Sequence, residues 1–353
     1  MVKDIRAGIA GSSPAYLTAI GNTLYFQANN GVSGAELWKS DGTAEGTVML
    51  KDLSQGVDSG SPRDFAVLGN TLYFSADSNG LGDVELWKSD GTPTGTTRVK
   101  DIYPGGVGSN AGETVVMGNT LYFAANDGAS GQELWKSDGT TAGTVMVKDI
   151  NQGVGHGSPS RFVVMGSTLY FQATDGANGR ELWKSDGTAA GTMLVKDINP
   201  GAPDSDTGHF LASGTTLYFY AKDGTSGYEL WKSDGTTAGT VRVKDINPGG
   251  NGSSPYGFVA LGGMTYFVAS DGASGHELWK TDGTAAGTFM VTDLNPGAGS
   301  GVDDIYVING TLYMQASNGV NGMELWKSDG TAAGTVQVID LNTGSANGFG
   351  YPI

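Results

Sequence analysis

All seven tryptophans of the chain lie in one phrase, ELWK, and the phrase recurs at a nearly constant interval. They are Trp38, Trp87, Trp135, Trp183, Trp231, Trp279 and Trp326, spaced 49, 48, 48, 48, 48 and 47 residues apart. A period of this length marks an array whose units are single supersecondary elements, none able to bury its apolar face alone. Seven units fill the 353 residues. Their cores fall near 15–53, 63–102, 112–150, 160–198, 208–246, 256–294 and 303–341, with partial repeats at 1–14 and 342–353.

Each unit holds four short segments rich in valine, threonine and aromatic residues, separated by glycine-rich turns, which is a strand pattern. In the third unit these are Glu113 to Met117, Thr120 to Ala125, Glu133 to Ser137 and Thr144 to Ile150. Two-residue links such as Gly118-Asn119 suit tight primed hairpins. The Asp-Gly-Thr that follows every ELWK suits a turn in which aspartate accepts the turn's own N–H groups. LYF and ELW place large side chains on both faces of a sheet, because neighbours along a strand point opposite ways. A sheet apolar on both faces must be covered on both. Radial stacking does this and leaves only short protected edges. The fold class expected is therefore all-β: one seven-bladed β-propeller with four antiparallel strands per blade and an indole between neighbouring blades.

The phrase itself is similar to the bacterial ELWxxDGT repeat family, with ELWKSDGT in six units and ELWKTDGT in the sixth. A looser likeness is to WD-repeat and YWTD propellers. The resemblance implies strand one innermost and strand four outermost in each blade. It also implies a parent protein that is secreted or displayed on a bacterial surface, and no catalytic role.

The valine-lysine-aspartate phrase of the fourth strand occurs once more than the tryptophan phrase. Two copies, Val2 to Ile5 and Val338 to Leu341, compete for one outer slot. The second is tethered to its own third strand by a short turn, so it is expected to win. The first is then expected to be loose or to pair with another molecule's edge. The protein is otherwise expected to be a monomer.

Thirty-six acidic against 20 basic residues give a formal charge of −16, which repels phosphate backbones and argues against a nucleic-acid partner. No apolar run approaches the ~18 residues of a membrane span, so insertion is not expected. The opening residues carry no signal-peptide pattern and read as the tail of a repeat, as in a piece of a longer protein. There is no cysteine.

Residues identical in every unit most economically serve the fold. That reading covers the glutamates of ELW: Glu36, Glu85, Glu133, Glu181, Glu229, Glu277 and Glu324, expected to accept turn N–H groups and fix the blade top. The fourth-strand aspartates, Asp4 to Asp340, are expected to be exposed edge charges, and the ELWK lysines to balance nearby acids. Positions that vary against this background are more informative. The residue before ELW is Ala35, Val84, Gln132, Arg180, Tyr228, His276 or Met323. Of these, Gln132, Arg180, Tyr228, His276 and Met323 are the candidate ligand-binding residues. Asp204 and Asp206 form a fragment of a calcium-loop pattern that lacks the later ligands and the closing glutamate, a weak metal signal.

No nucleophile motif, zinc spacing or phosphate loop is present, and the chain is not expected to be an enzyme or to need a cofactor. The function expected is a binding, adhesion or scaffold propeller, with glycans or surface proteins as partners. A purely structural, amplified or designed repeat is the first alternative. A hydrolase is the second, and would require Asp204, Asp206, Asp303, Asp304 and a histidine to cluster.

Overall fold

The computed structural model describes residues 1–297, 299–342, 344, 347 and 348. Most of the closing partial repeat, 342–353, thus lies outside the described residues. The described chain is all strand and turn. It forms seven four-stranded antiparallel sheets, each with its strands in chain order, the blade pattern of a seven-bladed β-propeller. The third sheet is typical: Gly112–Met117, Thr120–Asn126, Gln132–Ser137 and Val145–Lys148. By contacts the chain divides into two compact units. The first is Met1–Gly176 with Ser185–Met193, and the second is Ala177–Lys184 with Leu194–Ile353.

Within the first unit, Trp135 sits between the second and third sheets at 5% exposure. It packs with Phe123 of its own sheet and with Tyr73, Leu86, Val99 and Ile102 of the preceding repeat. Trp87 is packed likewise against Tyr25, Leu37, Leu50 and Leu53. In the second unit Trp279 meets Tyr218, Leu230, Val243 and Ile246. A lysine from the preceding repeat lies over each of these indoles, for example Lys100 at 5.7 Å from the ring of Trp135. The same ammonium donates to the carbonyl of Thr144 at 2.8 Å.

The ELW glutamates are fully buried. Glu133 accepts the N–H of Ile150 at 2.7 Å and of Gly157 at 2.6 Å, which pins both ends of the following connector. One neighbouring expectation gains a detail and another needs correction. The ELWK lysines lie beside acids of the next repeat: Lys88 donates to the carbonyl of Gly139, and Lys136 to that of Gly187. After the bonds from the turn threonine, their charges help hold down the carboxyls of Asp138 and Asp186 in the same Asp-Gly-Thr turns. The fourth-strand aspartates are not simply exposed. Asp52, Asp149, Asp197 and Asp245 are half-buried, each with one oxygen enclosed and unbonded.

The Asp-Gly-Thr turn closes as expected, with Asp138 accepting both the N–H and the hydroxyl of Thr140. Its glycine has a second reason to recur. Gly139 has φ +86, and a Cβ there would run into the hydroxyl of Tyr73 from the preceding repeat. Gly139→Ala is expected to lose about 1–3 kcal/mol through left-handed strain and this clash, measured as a fall in the urea midpoint.

The fourth strand of the seventh sheet is Val336–Ile339. The N-terminal copy forms no strand, yet it is not loose. Lys3 donates to the carbonyl of Thr47 at 2.7 Å, and Ile5 packs on Phe26, Ala28 and Trp38. It repeats the contact that Lys100 makes with Thr144 one repeat apart.

Candidate functional site

Each first strand carries a bulge after its opening residue, and in six of the seven the residue there takes positive φ. The occupants are Tyr16, Asp64, Glu113, Arg161, His209 and Gly257, at φ between 51° and 65°. Only glycine adopts this backbone without strain, so five repeats hold a large or charged side chain at a cost of about 1 kcal/mol or more.

In the second unit this position meets three others that also depart from the repeat. His209 belongs to the first strand of the fifth sheet, Gly208–Ser213. Tyr220 lies near the end of the second strand, Thr216–Lys222, and Tyr228 opens the third, Tyr228–Ser233. Tyr256 opens the first strand of the sixth sheet, Tyr256–Leu261. The ring centroids of His209 and Tyr220 are 5.2 Å apart, and those of Tyr220 and Tyr228 are 5.3 Å apart, edge to face. Tyr256 lies 6.3 Å from His209 and 5.8 Å from His276. These rings, with Ser254 and Pro255, line an open cavity of about 530 Å³. A shallower cavity of about 300 Å³ adjoins it across His209 and is bordered by Asp304 and Tyr306.

Polar groups ring the cavity. The hydroxyl of Tyr228 donates to Asp206 at 3.0 Å, and Lys222 donates to the same carboxylate at 2.6 Å. Burial would raise the Asp206 carboxyl, but these two bonds and the charge of Arg180 hold it below its ordinary value. The hydroxyl of Tyr256 donates to Asp303 at 3.5 Å. Burial first, and then Asp303, push its proton affinity well above that of a free tyrosine.

Of the candidate ligand residues, Tyr228 lines this cavity and His276 flanks Tyr256. Arg180 is committed to Asp204 and Asp206, at 3.0 and 3.4 Å. Those two aspartates therefore meet a guanidinium, and Asp206 also an ammonium. Gln132 belongs to the first unit, where its backbone N–H is capped by His156. The N–H of Met323 is capped by Asn347. Among the described residues, the three acids that approach as metal ligands would are Asp83, Glu85 and Asp101. Arg98 bridges the first and last of them at 3.2 and 3.5 Å. Of the acids that a hydrolytic site would use, Asp204 and Asp206 serve Arg180 while Asp303 serves Tyr256.

Sequence reasoning missed His209, Tyr220 and Tyr256. Reading every column of the repeat would have found them. Tyr220 stands where other repeats have Gln27, Ser75, Ala124, Gln172 and Val268.

No family model matches the chain, and no curated protein matches it, so the likeness to ELWxxDGT repeats rests on the phrase alone. Solved structures do match. The computationally designed Ika8 protein matches at a TM-score of 0.52 and 13% identity, over 98% of this chain and 92% of that one. Oligopeptidase B from Leishmania major matches at 0.53 and 12%, over 95% of this chain and 50% of that one. A puromycin hydrolase S511A mutant complexed with PGG matches at 0.51 and 16%, over 96% and 56%. The chain spans about half the length of these two enzymes. At such identities the likeness is one of fold.

These matches correct the expected adhesion or scaffold function: the natural proteins named here as sharing the fold are an oligopeptidase and a puromycin hydrolase. The geometry gives a physical reason to abandon equal, repeated glycan sites. The variable positions do not make one site per repeat, because Ala35 and Val84 stand where the fifth repeat has Tyr228. The departures concentrate in one aromatic cavity. What is shared with the enzymes is propeller architecture.

Proposed function

We propose that the chain is the non-catalytic propeller of a larger peptide-handling protein, and that it holds one peptide segment in the cavity between His209 and Tyr256. The observation that carries this reading is the local break in the repeat. Four rings converge in one place, where the other repeats mostly put small, aliphatic, amide or charged residues and have an aromatic ring only at Tyr16 and His276. Half-exposed tyrosines with fixed hydroxyls suit a ligand that is partly apolar and partly polar, as a peptide is. The oligopeptidase and puromycin hydrolase names support the ligand class. A secreted or surface setting, and membership among ELWxxDGT repeats, belong to the same proposal.

The repeat supplies its own mild variants for a test. Tyr228→Val copies Val84, and His209→Gly copies Gly257, so neither is foreign to the backbone. Calorimetric titration of the intact chain with a mixed pentapeptide pool is expected to show saturable binding at one site per chain. The Tyr228→Val, His209→Gly double variant is expected to bind at least about tenfold more weakly, or about 1.4 kcal/mol, with its thermal midpoint nearly unchanged. Equal binding by parent and variant, or cleavage of the peptides by the chain itself, would overturn the proposal.

A further inference from the structure

We infer that this cavity selects a cationic side chain, an ammonium or guanidinium group held between the face of Tyr256 and the carboxylates of Asp303 and Asp304. The inference rests on the peptide reading above and names the group that the peptide must carry.

The molecule contains a pattern for such a site. On one side of the cavity, Lys222 lies 5.2 Å from the ring centroid of Tyr228 while donating to Asp206 at 2.6 Å. There an ammonium is satisfied by a π face and a carboxylate together. The other side has the same two parts. Tyr256 presents a ring bonded through its hydroxyl to Asp303, and Asp304 borders the adjoining cavity. Among the described residues, the charges acting on Tyr256 are those of Asp303 and Asp304, both negative, and no lysine or arginine is among them. An aromatic face attracts a cation through its quadrupole, and a nearby carboxylate adds Coulomb attraction. A chain of net charge −16 draws cations toward such a cleft. A neutral polar ligand would use the hydroxyls but gain no Coulomb attraction from the two carboxylates.

The test uses three pentapeptides identical except at the central residue, which is arginine, lysine or citrulline. Citrulline keeps the shape of arginine and removes its charge. Titrated against the intact chain, the arginine and lysine peptides are expected to bind about tenfold or more tightly than the citrulline peptide. The gap is expected to shrink to about threefold or less in Asp303→Asn, an exposed position, and to narrow at high salt in the parent. Tyr256→Phe, which keeps the ring, is expected to retain most of the preference. If all three peptides bind equally well, charge selection is wrong and the peptide reading stands. If none binds, both fall.

Discussion

Trp135→Ala is expected to lower the stability of the chain by about 3–5 kcal/mol, the range for truncating a large buried aromatic side chain. The reason lies in where the ring sits. Its own sheet supplies Phe123, directly across the strand pair, and the preceding repeat supplies Tyr73, Leu86, Val99 and Ile102. Alanine would open a cavity bounded by two sheets whose backbones are fixed by ladders and by the Lys100 bond to Thr144, so collapse onto the gap is restricted. The indole N–H has no acceptor. Trp135→Phe therefore loses area without orphaning a partner, and a cost of about 1–2 kcal/mol is expected. Urea unfolding of both variants measures the difference. Because stability in repeat arrays is close to a sum of unit and neighbour terms, amide exchange should rise first in the second and third sheets. A loss below about 1 kcal/mol for Trp135→Ala would show that the indole does not join the two repeats.

The period, the turns and the buried faces were legible because each is written seven times in residue types with strong local preferences. Gly118-Asn119 and Asp138-Gly139-Thr140 mark turns by chemistry that operates within three residues. The destinations of long polar side chains were not legible. Lys88 and Lys100 find carbonyls in the next repeat, and spacing within one repeat cannot reveal a partner about 50 residues away. The bulge was hidden for another reason. Tyr16, Glu113 and Arg161 are residue types that ordinarily avoid positive φ, so nothing in their identity announces it; Gly257 in the same column is the clear hint, and Asp64 and His209 are weaker ones. The cavity joins Tyr220 of one repeat to Tyr256 of the next, and a reading confined to the column before ELW could find only Tyr228 and His276.

The chain is expected to be more stable at pH 5 than at pH 8, the reverse of the usual acid sensitivity of an acidic protein. Burial pushes the carboxyls of Glu36, Glu133, Glu181 and Glu277 up to about 7, against the lowering effect of the connector N–H groups. At Glu133 the neighbouring Asp149, with one enclosed and unbonded oxygen, adds to the rise. The sign follows from proton counting. In the unfolded chain these groups release their protons near pH 4.5, so between there and about 7 the folded chain holds more protons than the unfolded one. Stability then falls as pH rises through that window and levels off above it. Each carboxyl contributes at most about 3.5 kcal/mol, since a shift of one pH unit is worth about 1.4 kcal/mol. The Asp-Gly-Thr aspartates act in a separate window. Bonds from the turn threonine hold Asp138 and Asp186 below the ordinary carboxyl value, so their contribution disappears only at lower pH. The optimum should lie near pH 4–5. Glu133→Gln removes one titrating group and should flatten the profile by one share. It should also cost about 1–3 kcal/mol at pH 5, because the amide nitrogen must face the N–H of Ile150 or of Gly157. Urea midpoints of parent and variant at pH 5 and 8 decide the matter. A parent that is more stable at pH 8 would mean that the buried glutamates are held ionised by their N–H donors and not neutralised by burial.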